Sequence, residues 1–346
     1  MDDIHEVLTS LTNQQVGSIL ATIVDVKGSA YKKEGAMMLF KPDGSQIGML
    51  SAGCLEVDLV ERITRLGIGK EPELITYDMR ADNDLLWGQG SGCNGVIQVL
   101  VEPVDHVLLQ HLYRIKKALD NGQKVLIYKE LPTENKAMNY WFQTNDAQFG
   151  KVNENSTLNQ LMQSSNSFTR GTQKMAHSQQ AIYFDCYQPK PRLIVIGAGD
   201  DAKPIVRLAL EAGFRVEIAD WREELCNTIN FPEANKHYLG FPKELQQQIS
   251  FHTTDYVILL THNFQRDKEL LSFLIEEPLR YLGLLGSARR TKRLLAGQQP
   301  PKNLFSPIGL NINAESANEI AVSVMAELIQ EKKKMLKSQE VVDEIC

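Results

Sequence analysis

The stretch QPKPRLIVIGAGDDA, residues 188–202, decides the fold of the second half of the chain. Pro189 and Pro191 cannot join a central strand, and residues 193–196 directly after them form a short apolar run typical of a buried strand. The run ends in a glycine-rich turn and opens into a helical pattern. A new domain therefore begins at about residue 189.

The sequence after this stretch alternates between strand and helix patterns. The strand patterns lie at 193–196, 214–220, 237–240, 256–262 and 280–286, and the helical patterns at 203–212, 222–229 and 265–275. Continuous apolar strands alternating with helices predict a parallel sheet covered on both faces. We therefore expect residues 189–346 to form a Rossmann-like, doubly wound domain, whose last helix begins after a capping box at Ser316 and Glu319.

The first half of the chain has a different pattern, which predicts an α+β domain over residues 1–188. Helical periodicity is present at 3–13 and 105–120, and the strand patterns lie at 18–26, 36–50 (a hairpin), 74–79, 95–102, 124–130 and 181–187. Residues 133–180 are rich in Asn, Gln, Ser and Thr around one strand pattern at 138–144. The fold class predicted for the whole chain is α/β, with this α+β domain preceding the Rossmann-like domain.

Composition excludes several classes of protein. The 346 residues are 43% hydrophobic and 23% charged, which suits a globular protein of two domains. A net charge of −6 disfavours nucleic acid as a partner. No apolar run approaches the ~20 residues of a membrane span, and the acidic N-terminus is unlike a signal peptide, so we expect a cytoplasmic protein. Five scattered cysteines fit neither a disulfide framework nor a paired zinc site.

The glycine-rich turn after residue 196 fits the dinucleotide fingerprint. Gly197 and Gly199 follow a strand and open a helix, and Asp220 ends the next strand, which together predict NAD(P) binding. The alternative is that the glycines only permit a tight turn. Asp200 and Asp201 are an objection to dinucleotide binding, because they place two carboxylates where a pyrophosphate would lie.

Two further segments belong to the same edge of the predicted sheet. Gly286 and Ser287 lead into a helix that carries Arg289, an arrangement suited to a phosphate or another oxyanion. His262, followed by Asp267, is a candidate ligand or acid–base group. The alternatives are a solvated surface for the arginine and a hydrogen-bonded structural role for the histidine.

The first domain offers two glycine-flanked thiols. Gly53 and Cys54 come just before an apolar helical stripe, and a cysteine at a helix N-terminus is stabilised as the thiolate. Gly92 and Cys93 lie in WGQGSGCNG, residues 87–95, whose glycines let backbone N–H groups approach an anion. The alternatives are a buried core cysteine and ordinary tight turns.

Several motifs together resemble the XdhC/CoxI family of xanthine dehydrogenase and carbon monoxide dehydrogenase accessory proteins. They are GSAYKKEGAMMLFKPDGSQIGMLSAGCLE, GQGSGCNG, VIGAGDDA, THNFQRD, YLGLLGSARR and SPIGLNINAESANEIAVSVMAELI, in this order. The resemblance spans nearly the whole chain, except for the polar stretch at 133–180. The sequence departs from the family at Ala52, Asn94 and Asp200.

The resemblance implies a role in handling the molybdenum cofactor (molybdopterin). Such a protein would bind the cofactor, protect it during sulfuration by a cysteine desulfurase, and deliver it to a molybdenum hydroxylase, usually as a homodimer. Cys54 and Cys93 are then the candidates to contact molybdenum. The alternative function is an NAD(P)-linked oxidoreductase, in which Gly197, Gly199 and Asp220 hold the dinucleotide and His262 assists hydride transfer.

Overall fold

A computed structural model describes most of the chain. The described residues are 3–11, 16–51, 53–66, 71–80, 94–133, 138–154, 156–161, 169–174 and 180–343. The chain divides into two compact units, one built from the residues up to Pro189 and the other from Lys190–Val342. Each unit has its own hydrophobic core.

The N-terminal unit begins with an antiparallel sheet of order β3-β2-β1-β5-β4. Its elements are α1 (Asp3–Ser10), β1 (Ile19–Ser29), β2 (Met37–Phe40), β3 (Gln46–Gly48), α2 (Cys54–Glu61) with a π-helical turn (Arg62–Leu66), β4 (Glu73–Asp78) and β5 (Asn94–Pro103). Leu55 and Leu59 of α2 are buried against one face of this sheet, as the helical stripe predicts.

A second antiparallel sheet, of order β8-β7-β6-β10-β9, completes the N-terminal unit. Its elements are α3 (His106–Asp120), β6 (Val125–Glu130), β7 (Tyr140–Gln143), β8 (Gln148–Lys151), α4 (Thr157–Leu161), β9 (Gly171–Lys174) and β10 (Ala181–Tyr187). One core cluster contains apolar residues of α1, α3 and both sheets. The polar stretch at 133–180 therefore supplies strands of the second sheet.

The C-terminal unit is a six-stranded parallel sheet of order β13-β12-β11-β14-β15-β16. The strands are β11 (Arg192–Ile196), β12 (Arg215–Asp220), β13 (Lys236–Leu239), β14 (Tyr256–Leu259), β15 (Tyr281–Leu284) and β16 (Leu304–Phe305), and the helices are α5 (Ala202–Glu211), α6 (Pro242–Gln248), α7 (Phe264–Leu274), α8 (Ala288–Leu295) and α9 (Ala317–Asp343). This is the strand order of the Rossmann fold, so the predicted fold class is confirmed. The strand order reverses between β11 and β14.

Successive residues of the central strand β11 explain why its sequence is apolar throughout. Leu193 and Val195 pack with α5 and α9, whereas Ile194 and Ile196 pack with α6, α7 and α8. Because side chains alternate between the two faces of a sheet, a strand covered on both faces is apolar at every position.

One predicted helix of this unit is wrong and one helix was missed. Residues 222–229 form turns, in which the Asn227 side chain accepts the N–H groups of Ile229 and Asn230 at 3.0 Å each. Such local hydrogen bonds compete with helix formation. Helix α6 is largely polar, and its start is fixed by the Glu244 carboxylate, which accepts the Phe241 N–H at 2.6 Å.

Candidate functional site

The carboxyl ends of β11, β14 and β15 are neighbours, because these strands are adjacent in the parallel sheet. Gly197 follows β11 with φ of 120°, in the left-handed region. A β-carbon at Gly197 would lie 2.5 Å from the carbonyl oxygen of Leu260 and 2.9 Å from the N of Thr261. Glycine is therefore required here by the close approach of the backbone just after β14, whether or not a ligand binds.

The start of α5 carries its own negative charge. A β-carbon at Gly199 would lie 2.7 Å from Oδ1 of Asp201, whose other carboxylate oxygen contacts Nε2 of His262 at 2.7 Å. Asp200 differs, since its side chain is 94% exposed and pairs with Lys203 at 2.8 Å. Carboxylates are favoured at a helix N-terminus, so Asp201 takes the electrostatic position that a phosphate holds in dinucleotide-binding domains.

Asp220 is fully buried at the end of β12 and its oxygens are engaged within the chain. Oδ2 accepts the Ala198 N–H at 2.7 Å and Nη2 of Arg222 at 2.8 Å, and Oδ1 accepts the N–H and Nε of Arg222 at 3.0 Å each. Burial acts to raise the pKa of Asp220, but the hydrogen bonds from Arg222 and Ala198 outweigh it and the pKa is lowered. Arg222 thus occupies the side of Asp220 that would bind a ribose hydroxyl.

His262 and Asp267 contact different partners. His262 has φ of 56° and contacts Asp201, as described above. Asp267 is buried and accepts the Thr261 hydroxyl at 2.5 Å and Nη2 of Arg290 at 2.7 Å. The buried Asp267 therefore joins α7 to α8 by pairing with the half-buried Arg290. His262 instead lies beside Asp201, at the carboxyl ends of the strands.

The start of α8 has the backbone that the sequence predicted. Gly286 has φ of 128°, and the Ser287 hydroxyl caps the helix by accepting the Arg290 N–H at 3.3 Å. Arg289 is exposed, whereas Arg290 pairs with Asp267 and the Arg293 guanidinium lies 4.9 Å from the centre of the Phe264 ring. Arg289 is thus free of the inward contacts that engage Arg290 and Arg293.

In the N-terminal unit, Gly53 and Cys54 begin helix α2. Gly53 has φ of 119°, and a β-carbon there would meet nothing within 4 Å among the residues that the structure describes. The Glu56 carboxylate accepts the N–H groups of Leu50, Ser51 and Gly53 at 2.9, 2.7 and 3.2 Å. These N–H groups bind a carboxylate of the chain itself.

Glu56 also changes the electrostatics near Cys54. Burial acts to raise the pKa of Glu56, but the hydrogen bonds from the Ser51 hydroxyl and from backbone N–H groups outweigh it and the pKa is lowered. The added negative charge opposes the thiolate that the helix dipole favours. The side chain of Cys54 lies outside the described part of the structure.

Gly92 and Cys93 lie outside the described residues, and the next residue, Asn94, begins β5. Asn94 pairs with Ser29 at the end of β1, whereas Met37 at the start of β2 pairs with Thr22. These two points on β1 are seven residues apart (22 to 29), about 23 Å at ~3.3 Å per residue. Asn94, the residue after Cys93, therefore pairs with the end of β1, whereas the start of β2 pairs nearer the beginning of β1.

Cys226 belongs to the core of the C-terminal unit. Its Sγ donates to the Tyr238 carbonyl oxygen at 3.4 Å, and burial raises its pKa to about 11. Cys226 is therefore a neutral thiol at ordinary pH and a poor candidate for sulfur chemistry. Among the described residues, no cluster of three or more His, Cys, Asp or Glu side chains could hold a metal ion, and no helix is long and apolar enough to cross a membrane.

Sequence reasoning missed Arg222 and Glu56, which bind Asp220 and the backbone N–H groups before α2. A signal existed for each. Arg222 lies two residues after the strand-ending aspartate, and Glu56 lies three residues after Gly53, the spacing of a capping box.

An antiparallel two-sheet unit followed by a Rossmann-fold unit, with glycine-flanked cysteines in the first, defines the class of this protein. The sequence matches the XdhC and CoxI family over residues 11–78, the BH1974-like central domain over 106–188 and the XdhC Rossmann domain over 193–328. It is 40% identical to a probable xanthine dehydrogenase subunit of Bacillus subtilis, over 97% of this chain and 99% of the relative. The chain therefore belongs to the XdhC/CoxI family.

Two further relatives extend this comparison. The molybdenum cofactor insertion chaperone PaoD of Escherichia coli is 24% identical, over 90% of this chain and 82% of the relative. The crystal structure of a xanthine dehydrogenase from Bacillus halodurans superimposes with a TM-score of 0.84 at 40% identity, covering 96% of each chain.

Proposed function

We propose that this protein is an accessory factor that binds the molybdenum cofactor and assists its sulfuration and its insertion into a xanthine dehydrogenase-type molybdenum hydroxylase. The observation that carries the proposal is the similarity, over 90% of the chain, to a protein named as a molybdenum cofactor insertion chaperone. The names of the Bacillus relatives point to xanthine dehydrogenase as the client.

The donor set of the N-terminal unit fits this cargo. Molybdenum accepts thiolate ligands, and Cys54 and Cys93 are the thiols that lie next to glycines in this unit. Helix α2 begins at Cys54, and no atom of the described residues lies within 4 Å of a β-carbon built at Gly53. A bulky cofactor can therefore approach the start of α2 without meeting a side chain at position 53.

The part of each residue follows from its chemistry. Cys54 and Cys93 would hold the metal end of the cofactor, whose molybdenum carries the sulfur needed for hydroxylation. Glu56 and Ser51 fix the backbone before α2, so Cys54 starts from a rigid turn. In the C-terminal unit, Gly286, Ser287 and Arg289 are the proposed binding residues for an oxyanion such as a phosphate.

The partners follow from this role. A cysteine desulfurase supplies the sulfur while the cofactor is held, and the hydroxylase accepts the finished cofactor. A homodimer is the proposed assembly.

The geometry gives less support to an NAD(P)-linked oxidoreductase. Gly197 is explained by the close approach of Leu260, Asp220 is engaged by Arg222, and Asp201 lies at the start of α5. Each of these contacts fills or explains a position that the dinucleotide fingerprint assigns to the cofactor. The strand order favours dinucleotide binding, but the side chains of the crevice do not.

The test is cofactor retention in protein purified without oxygen from a host that makes the cofactor. Molybdenum and the fluorescence of the oxidised pterin are measured for the wild type, Cys54→Ser, Cys93→Ser and the double variant. We expect each single substitution to lower molybdenum by about tenfold, because a lost ligand is not replaced. Cys186→Ser, on a half-buried cysteine of the second sheet, is the matched control. Equal retention by the double variant would contradict the proposal.

A further inference from the structure

A short segment of the second sheet, Arg170 to Thr172, contacts the first sheet of the N-terminal unit. A β-carbon added at Gly35 would lie closer to Nη2 of Arg170 than real β-carbons ever approach, and 2.5 Å from Oδ2 of Asp185. Gly35 has φ of 83°, in the left-handed region. The Arg170–Asp185 pair therefore lies directly against the backbone of Gly35, where the left-handed φ also strains any larger residue.

Arg170 is itself held in a fixed orientation. Its Nε contacts Oδ1 of Asp185 at 2.9 Å and its Nη2 contacts Oδ2 at 3.3 Å. Asp185 is buried on β10 and also accepts the Tyr183 hydroxyl at 2.7 Å and the Cys186 N–H at 2.8 Å. A two-point pair of arginine with a fully hydrogen-bonded carboxylate fixes the plane of the guanidinium.

Thr172 forms a second attachment between the sheets. The pairing of β1 with β5 shifts register between Ile23 and Asp25, which marks a bulge at Val24. The Thr172 hydroxyl donates to the Val24 carbonyl oxygen at 2.8 Å. A bulge interrupts the ladder, so this carbonyl is free to accept a side-chain donor.

The contacts of Arg170, Asp185 and Thr172 hold the loop 30–36. One end of this loop follows the β1 residue that pairs with Asn94, and the other end packs in the core cluster next to α2. The loop leaves β1 after Ser29, the pairing partner of Asn94, and returns at Gly35, whose N–H donates to the Ile23 carbonyl oxygen at 2.8 Å. Ala36, the next residue, is buried in the cluster that contains Leu50 and Leu55, on either side of the turn into α2. A shift of the loop would therefore reach the start of α2 through the packing of this cluster.

We propose that Arg170 is a positioning residue for the cofactor site of the N-terminal unit, an inference that rests on the proposed function. By fixing Gly35 against Asp185, it sets the position of the loop 30–36 and hence of the turn that presents Cys54. Arg170 acts through the loop and makes no contact with the cofactor.

The test compares full-length Arg170→Ala, Arg170→Lys and the double variant Arg170→Ala/Asp185→Asn, with Arg114→Ala as the control. Removing Arg170 alone leaves a buried carboxylate, whereas the double variant removes that charge and preserves folding. The Arg114 guanidinium lies over the Phe149 ring, 4.0 Å from its centre. It is an arginine of the same unit that lies outside the contact of Arg170 and Asp185 with Gly35. Three quantities are measured: molybdenum retained, hydrogen exchange at the Gly35 amide, and the thermal midpoint.

We expect the double variant to retain about tenfold less molybdenum than the wild type at a similar thermal midpoint, as for residues that orient metal ligands. Exchange at Gly35 should be about tenfold faster, because the loop opens locally. Arg170→Lys should recover part of both effects, since it keeps the charge but not the two-point contact.

The outcomes separate this inference from the proposed function. If the wild type retains molybdenum and the double variant retains as much, Arg170 is not a positioning residue. If the wild type retains no molybdenum, the proposed function fails. The exchange measurement needs no cofactor, so it still tests whether Arg170 holds Gly35 in place. Unchanged exchange at Gly35 in the double variant overturns the inference in either case.

Discussion

Asp201 should control whether the Rossmann crevice accepts a dinucleotide. Its carboxylate lies over Gly199 at the start of α5 and contacts His262 at 2.7 Å. Asn at position 201 removes the negative charge and keeps an oxygen that His262 can contact. The Asp201 side chain makes no capping hydrogen bond to α5, so the substitution costs the helix little. We expect Asp201→Asn to bind NAD more tightly than the wild type.

The size of the effect follows from the distance and the exposure. Unit charges ~4 Å apart repel by ~1 kcal/mol in water and by ~4 kcal/mol at an effective dielectric constant of about 20. The Asp201 side chain is 29% exposed, which places it between these limits. A repulsion of about 1–2 kcal/mol corresponds to roughly tenfold in Kd.

Asp200 provides the matched control. Its side chain is 94% exposed and is paired with Lys203, so Asp200→Asn should change the Kd less than about twofold. Isothermal titration calorimetry with NAD and NADP measures both variants at the same ionic strength. Electrostatic exclusion by Asp201 is refuted if the native protein saturates at low-micromolar NAD, or if Asp201→Asn binds no more tightly than Asp200→Asn.

Two stability predictions concern buried charges. Lys129→Met should lower the free energy of unfolding, measured by urea denaturation, by about 3–5 kcal/mol, because it leaves the buried Glu102 carboxylate without its cation. Adding Glu102→Leu should restore most of the loss. A change equal to that of Lys116→Met, on the exposed Lys116–Asp120 pair, would contradict this. Arg222→Ala should destabilise the protein above the ordinary carboxyl pKa of 3.8, because the lowered pKa of Asp220 contributes stability there that disappears as the pH falls through the folded-state value. Thermal melts across this range should show the deficit shrinking in acid, and a deficit independent of pH would count against the Asp220–Arg222 contribution.

The Rossmann-like unit could be predicted from the sequence because its strands, turns and helix caps are specified by residues close together in the chain. A strand covered on both faces is apolar at each position, as residues 193–196 are. The glycine turn and the Ser316–Glu319 capping box each depend on residues only a few positions apart in the sequence. Helix 222–229 was predicted wrongly because local hydrogen bonds of Asn227 compete with the helical pattern. The two sheets of the first unit, and the role of the polar stretch in the second of them, depend on strand pairings between distant residues.

The sequence by itself determined the family resemblance, the order of strands and helices in most of the second unit, and the glycine-flanked cysteines. Only the tertiary structure decided which partners the charged side chains contact. Asp201 contacts His262, and Arg222 pairs with Asp220. Glu56 binds the turn before α2, and Arg170 lies against Gly35. Backbone propensity and hydrophobic periodicity are properties of neighbouring residues and are visible in one dimension. The partner of a charged side chain depends on distances and burial in the folded protein, so these contacts cannot be deduced from the sequence alone.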